Sequence, residues 1–254
     1  MNREIIDDVR SRTPLVHHMT NQVVMNFSAN GLLAFGGTPA MAKYIEVAAD
    51  LAKAADALLV NIGTLARDDI PALIKAGKAA NQKGIPVVFD PVGVGISAFN
   101  AEAAKLFLKE VRTAAIKGNA GELAFLVDIP WKTRGVDAIG SGDAEAVARQ
   151  AAKTYDTVAV VTGETDILCK DGQVFQNTSG HPLLTKITGG GCLLGSIIAA
   201  CLTTKHDALD QAYAAVHFYG KAAEYAALQN HVYGPGTFLP AFIDALSYDP
   251  DRLE

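Results

Sequence analysis

The sequence predicts an α/β fold built on a mostly parallel sheet with helices on both faces. Short, continuous apolar runs, such as 57–62 (ALLVNI), 86–90 (PVVFD) and 157–161 (TVAVV), read as strands buried on both sides. Longer segments of helical periodicity alternate with them, the order that builds parallel sheets. The residues capable of chemistry come directly after the strands, at Asn61, Gly63, Asp90, Gly93, Lys117, Asn119, Thr162 and Gly163. That is where an open α/β sheet binds its ligand.

Taken in order, Asn2–Arg12 is predicted to be helical. Asn21–Phe35 follows Thr20, which can serve as an N-cap, and is apolar on nearly every side, as a buried or interface helix would be. Glu46–Ala55 is a helix leading into the strand at 57–62. Asp68–Gln82 is a helix with Asp68 and Asp69 in its first turn, where they favour the dipole, and Gly84 stops it. The strand at 86–90 leads to a helix at Asn100–Arg112, a strand at Ala114–Lys117, helices at Ala120–Val127 and Asp143–Thr154, and the strand at 157–161. Residues 167–176, centred on Lys170, Asp171 and Gly172, form a hairpin. Two long helices follow, from about Gly191 and from Leu209. Without repeats, low-complexity tracts or a Pro/Gly/Ser linker, residues 1–254 are expected to form one domain.

Composition narrows the function. Half the residues are hydrophobic and only 19% are charged, a low charged fraction that hints at subunit interfaces. A net charge of −5, with Lys and Arg scattered singly, argues against nucleic-acid binding. The longest apolar stretch, Cys192 to Leu202, is too short to span a membrane, and the N-terminus has no apolar signal core. Cysteines at 169, 192 and 201 lack paired or metal-ligand spacing, which suits a reducing compartment. The expectation is a soluble cytoplasmic enzyme.

The strongest motif is 188–195 (TGGGCLLG). Glycines opening an apolar helix let bare N–H groups approach an anion, and the helix dipole favours negative charge there. A Gly-rich turn before a core helix would give the same letters. It is not a Walker A loop, because Ser196 and Ile197 stand at the Lys and Ser/Thr positions. Residues 93–98 (GVGISA) imitate a dinucleotide fingerprint, but they come mid-chain rather than opening a first βαβ unit. Asn119 and Glu122 lie one helical turn apart on one side. With Asp90 at a neighbouring strand end, they could hold Mg²⁺ through carboxylates and water. Alternatively, Glu122 is a first-turn acid completing a cap, and Asp90 a strand-ending turn residue before Pro91.

The ordered set Met19-Thr20-Asn21, Pro39-Ala40-Met41, Asp90 to Gly93, Gly118-Asn119, Val161 to Glu164 and Thr188 to Cys192 resembles the hydroxyethylthiazole kinase family of the ribokinase-like superfamily, over roughly residues 13–246. The resemblance implies a three-layer α/β/α fold, MgATP as donor, and 4-methyl-5-(2-hydroxyethyl)thiazole as acceptor in thiamine biosynthesis or salvage. It also implies a homotrimer with active sites between subunits. Carried over by position, Asn21, Met41 and Gly189 match thiazole-binding residues. Lys117, Asn119, Thr162 and the glycine loop with Gly190 and Gly191 match the ATP side. Asp90 and Glu122 match the magnesium site. Cys192 stands where related sugar kinases carry an Asp base; its place at a helix N-terminus favours thiolate, whereas nearby nucleotide phosphates oppose it, so its charge state is left open. Two positions depart from the family pattern. Lys117 replaces the commoner Arg, losing the planar fork, and Gly190 replaces a Thr, losing a hydroxyl. The competing functions are a pyrimidine-alcohol or sugar kinase, an ATP- or ADP-dependent dehydratase of hydrated nicotinamide nucleotides, and an inactive thiazole sensor.

Overall fold

A computed structural model of the protein describes residues 3–131, 133–134, 137–138 and 142–254. The first helix, α1 (Arg3–Arg12), leads to β1 (Leu15–Met19). Helix α2 (Met25–Phe35) connects it to β2 (Thr38–Met41), and α3 (Ala48–Ala54) to β3 (Ala57–Asn61). Then α4 (Asp69–Lys83), β4 (Val87–Asp90), α5 (Ala98–Glu110), β5 (Ala115–Asn119) and α6 (Ala120–Leu126) follow in alternation. A small hairpin, β6 (Thr133–Arg134) and β7 (Asp137–Ala138), precedes α7 (Ala144–Tyr155) and β8 (Val158–Thr162). The chain closes with β9 (Asp166–Lys170), β10 (Gln173–Asn177), a 3-10 turn (Pro182–Lys186), α8 (Gly190–Cys201), α9 (Ala208–Ala227), α10 (Pro235–Leu246) and α11 (Pro250–Leu253).

Eight strands form one sheet in the order β10-β9-β8-β5-β4-β3-β1-β2, parallel from β8 to β2 and antiparallel at β8–β9–β10. Alternate side chains of each strand enter opposite cores. Ala57 and Leu59 of β3 pack with Leu32, Leu193, Ile197 and Phe218 from α2, α8 and α9. Leu58 and Val60 pack with Ala76, Phe107 and Leu123 from α4, α5 and α6 on the other face. Burying each such Leu or Val side chain contributes about 1.5–3 kcal/mol, so the two-sided core is what fixes the strand register.

Strand and helix positions agree with the sequence reading to within a few residues through the middle of the chain, and Asn2 lies outside the described residues. The hairpin is also as expected: Asp171 and Gly172 both have positive φ, the signature of a turn that follows the strand twist.

Five segments differ. β1 and β2 were not expected as strands, because adjacent histidines interrupt the apolar run of β1 and Pro39 interrupts β2. The structure accommodates both. Burial holds His18 down to about 4, so it is neutral, and its ring nitrogens meet the Val16 carbonyl and the Ser196 hydroxyl of α8. Pro39 is tolerable because β2 is an edge strand. Helix α2 begins at Met25, not Asn21. Thr20 does not cap it; the Asn21 Oδ1 atom instead accepts the N–H groups of Val23 and Val24. Helices α10 and α11 were not anticipated at all.

Candidate functional site

The parallel strands deliver their last residues to one rim. Register places Asn61 beside Asp90, and Asn119 beside Thr162. After β1 the chain turns into α2 on one face, whereas after β3 it turns into α4 on the other. This divergence opens the crevice in which doubly wound sheets bind ligands, and α8 points its N-terminus into the same rim.

That N-terminus is shaped by glycine. Gly189 is left-handed at φ 89°, and a Cβ there would come within 2.8 Å of Val24. Only glycine permits both the turn and the close approach of α2. The first helical bond runs from Leu193 N–H to the Gly189 carbonyl, so the N–H groups of Gly190, Gly191 and Cys192 precede the ladder. A Cβ on Gly191 would lie 3.5 Å from the Lys117 ammonium, so the loop passes directly beside that charge.

Four side chains interlock beneath this turn. Lys117 donates to Asp90 Oδ2 and to the Gly191 carbonyl, each at 3.0 Å. Asn61 donates to the same Asp90 oxygen at 2.9 Å and to Cys192 Sγ at 3.3 Å. Asp90 and Lys117 are almost wholly buried, at 0% and 3% exposed. Burial raises the Asp90 pKa against the opposing pull of Lys117 and Asn61. Burial alone would lower Lys117, but Asp90, Cys192 and Glu122 outweigh it and favour the ammonium. For Cys192 the balance falls on the side of the neutral thiol. Burial first, and Asp90 second, push its thiol up to about 11, despite Lys117 and the Asn61 bond. Desolvation has overridden the helix dipole.

Glu122 is the first-turn acid that completes a cap, the second of its two readings. With Asn119 it forms a capping box: Asn119 Oδ1 accepts Glu122 N–H, and Glu122 Oε2 accepts Asn119 N–H. Its other oxygen accepts Gly93 N–H at 3.0 Å, which fixes the loop after β4. Burial, then Asp90, raise its pKa to about 7. A cavity of about 230 Å³, lined in part by Gly93, Asn119, Gly121, Glu122 and Phe125, opens beside it. Thr162 lies across β5, its hydroxyl donating to the Gly118 carbonyl.

The residues fit a magnesium ion. Asp90 Oδ1 is buried with no hydrogen-bond partner among the described residues, leaving an acceptor unsatisfied. No cluster of three or more His, Cys, Asp or Glu forms a cage among the described residues. Mg²⁺ characteristically takes one or two carboxylates and completes its shell with water and phosphate oxygens.

The structure thus gathers Asp90, Lys117, Cys192, Gly191 and Asn61 in one cluster, with Glu122 and Asn119 one strand further along. Asn21 joins it by donating to Asn61 Oδ1 at 3.1 Å. Gly189 abuts Val24 and Phe27. Met41 ends the edge strand β2, half-buried and beside the exposed Tyr44, Ile45 and Val47. Sequence reasoning noted Asn61 as a strand-end residue but did not name it as part of the site. Its position directly before Ile62 and Gly63, level with Asp90, was the available signal.

The sequence profile of the hydroxyethylthiazole kinase family matches residues 6–249. The chain is 54% identical to hydroxyethylthiazole kinase 1 of Oceanobacillus iheyensis, covering 100% of this chain and 98% of that protein. It superposes on a hydroxyethylthiazole kinase structure from Pyrococcus horikoshii with a TM-score of 0.86 at 33% identity, covering 96% of this chain and 92% of that one. An ADP/ATP-dependent NAD(P)H-hydrate dehydratase from Bacillus subtilis shares the fold, with a TM-score of 0.65 at 15% identity, covering 96% and 91%.

Proposed function

Because this chain belongs to the hydroxyethylthiazole kinase family, we propose that it phosphorylates the hydroxyl of 4-methyl-5-(2-hydroxyethyl)thiazole with MgATP, supplying a thiazole phosphate for thiamine. The observation that carries this reading is the buried Asp90–Lys117 ion pair set against the glycine-opened N-terminus of α8 and beside Cys192. Phosphoryl transfer needs positioning and charge neutralisation more than covalent chemistry. The Lys117 ammonium and the N–H groups of Gly190, Gly191 and Cys192 supply positive potential where the transferring group would lie. Asp90, through its unsatisfied oxygen, and Glu122 would hold Mg²⁺, which when bound neutralises phosphate charge. Asn119 and Thr162 line the nucleotide side, and Asn21, Met41 and Gly189 the thiazole side. Cys192 is a neutral thiol at physiological pH, so it orients the acceptor hydroxyl and is not a preformed base. An ADP-release assay across thiazole, pyrimidine and sugar alcohols, with NADH regeneration followed in parallel, tests the reading. ADP release with the thiazole alcohol alone is expected. NADH regeneration, or a clear preference for another alcohol, would overturn it.

The chain acts as one kinase domain over residues 1–254, in the cytoplasm, and assembles as a homotrimer with its sites at the subunit boundaries. Exposed apolar side chains support the assembly: Val23 is 65% exposed, Leu33 56% and Tyr44 72%, all on segments flanking Asn21 and Met41. Exposed apolar side chains clustered in this way mark an interaction surface. Light scattering is expected to give the mass of a trimer for the wild type and of a smaller species for Leu33→Glu, with weaker thiazole binding. A fully active wild-type monomer would contradict the shared site.

A further inference from the structure

Resting on that kinase reading, we propose that Asn61 is a positioning residue that fixes the Asp90 carboxylate, the Cys192 thiol and the Asn21 turn to one point. All its hydrogen-bonding capacity is committed. Its Nδ2 donates to Asp90 Oδ2 at 2.9 Å and to Cys192 Sγ at 3.3 Å. Its Oδ1 accepts from Asn21 Nδ2 at 3.1 Å and from Gly63 N–H at 3.0 Å. Both amide hydrogens and both acceptor directions are therefore used. The orientation is not interchangeable, because the backbone N–H of Gly63 can only donate, and a flipped amide would present a second donor to it.

Asn61 is 3% exposed and ends β3, the strand between those that carry Asn21 and Asp90. The groups it holds come from three separate places: the turn after β1, the end of β4 and the first turn of α8. Asn61 adjoins all three and acts on the reaction through them. Displacing a reacting group by ~1 Å can cost ~10²-fold in rate. Asn61 thus belongs on the kcat side of the kinetics. A residue that only fills the core would lower stability and the active fraction without acting through Cys192.

The test is a double-mutant cycle on the full-length enzyme with MgATP and thiazole alcohol. Asn61→Ala is expected to lower kcat by about 10²-fold while the KM for ATP stays within about threefold. In a Cys192→Ala background the same substitution is expected to cost at least about threefold less, because the thiol it positions is gone. Asn61→Asp, which keeps the acceptor for Asn21 and Gly63 but loses the donors, is expected to reproduce the kcat loss with thiazole KM near wild type. It carries the test if the alanine variant does not fold, and melting temperature reports folding independently of turnover. Folded variants with kcat within about threefold of wild type, or an equal loss in both cysteine backgrounds, would overturn the role. If the wild type phosphorylates a different alcohol, the substrate assignment fails on its own, and the cycle is read with that alcohol.

Discussion

Asp90→Asn is expected to cut turnover by about 10³-fold, on the scale of removing an electrostatic group aimed at the transition state, and to destabilise the fold by ~3–5 kcal/mol, as breaking a buried ion pair does. Two donors, Lys117 Nζ at 3.0 Å and Asn61 Nδ2 at 2.9 Å, converge on Asp90 Oδ2. An amide can turn its oxygen toward them, but it then places an NH₂ at the buried position where Asp90 offers an unsatisfied acceptor. It also removes the counter-charge of Lys117. Among the neighbouring charges, Asp90 does most to keep the Lys117 pKa raised against burial. Without it the ammonium loses its ion-pair partner, and burial disfavours the charge more strongly. Steady-state kinetics with urea unfolding reads both effects. A stable variant with turnover within about tenfold of wild type would show that the pair does not serve catalysis.

Glu122→Gln is expected to lower turnover by about 10²-fold, since it removes a charge worth roughly 3 kcal/mol at the phosphate site, while thiazole affinity changes little. Its stability signature has a definite sign. Burial raises the Glu122 pKa to about 7 from its ordinary 4.5. Between those values the folded protein binds more protons than the unfolded chain, so this group's contribution is fully present below 4.5 and is lost as pH rises through 7. Glutamine has no such titration. In metal-free protein, the wild type should therefore lose stability relative to Glu122→Gln as pH climbs across that window, most steeply midway through it and levelling off above 7. Parallel melting curves from pH 4 to 8 would remove the buried, proton-binding carboxylate from the account.

Much of the fold was legible because its strands are apolar on both faces and its helices carry ordinary stops. The run at 57–62, the helix ending at Gly84 and the Asp171-Gly172 hairpin each express a local rule that tertiary structure leaves intact. The failures have tertiary causes. His17 and His18 look polar in sequence, yet they are buried and neutral, with His18 satisfied by Ser196, 178 residues away. Pro39 forbids a central strand but not an edge one, and only the strand order reveals which it occupies.

The candidate site divides similarly. Glycine turns and strand-end acids announce themselves, which is how Asp90, Glu122 and the Gly189–Gly191 turn could be named in advance. The role of Asn61 depends on neighbours at 21, 63, 90 and 192, and no local pattern encodes that convergence. The charge state of Cys192 stays open in the sequence for the same reason. A helix N-terminus is visible in sequence, whereas the desolvation that dominates it is not.

The most direct test of the central claim is mass spectrometry of the products formed by purified protein from MgATP and a pooled mixture of thiazole, pyrimidine and sugar alcohols. A single new phosphate monoester is expected, that of 4-methyl-5-(2-hydroxyethyl)thiazole, formed together with ADP and greatly diminished in Asp90→Asn. A phosphorylated pyrimidine or sugar in its place, or undiminished product from the Asp90 variant, would contradict it.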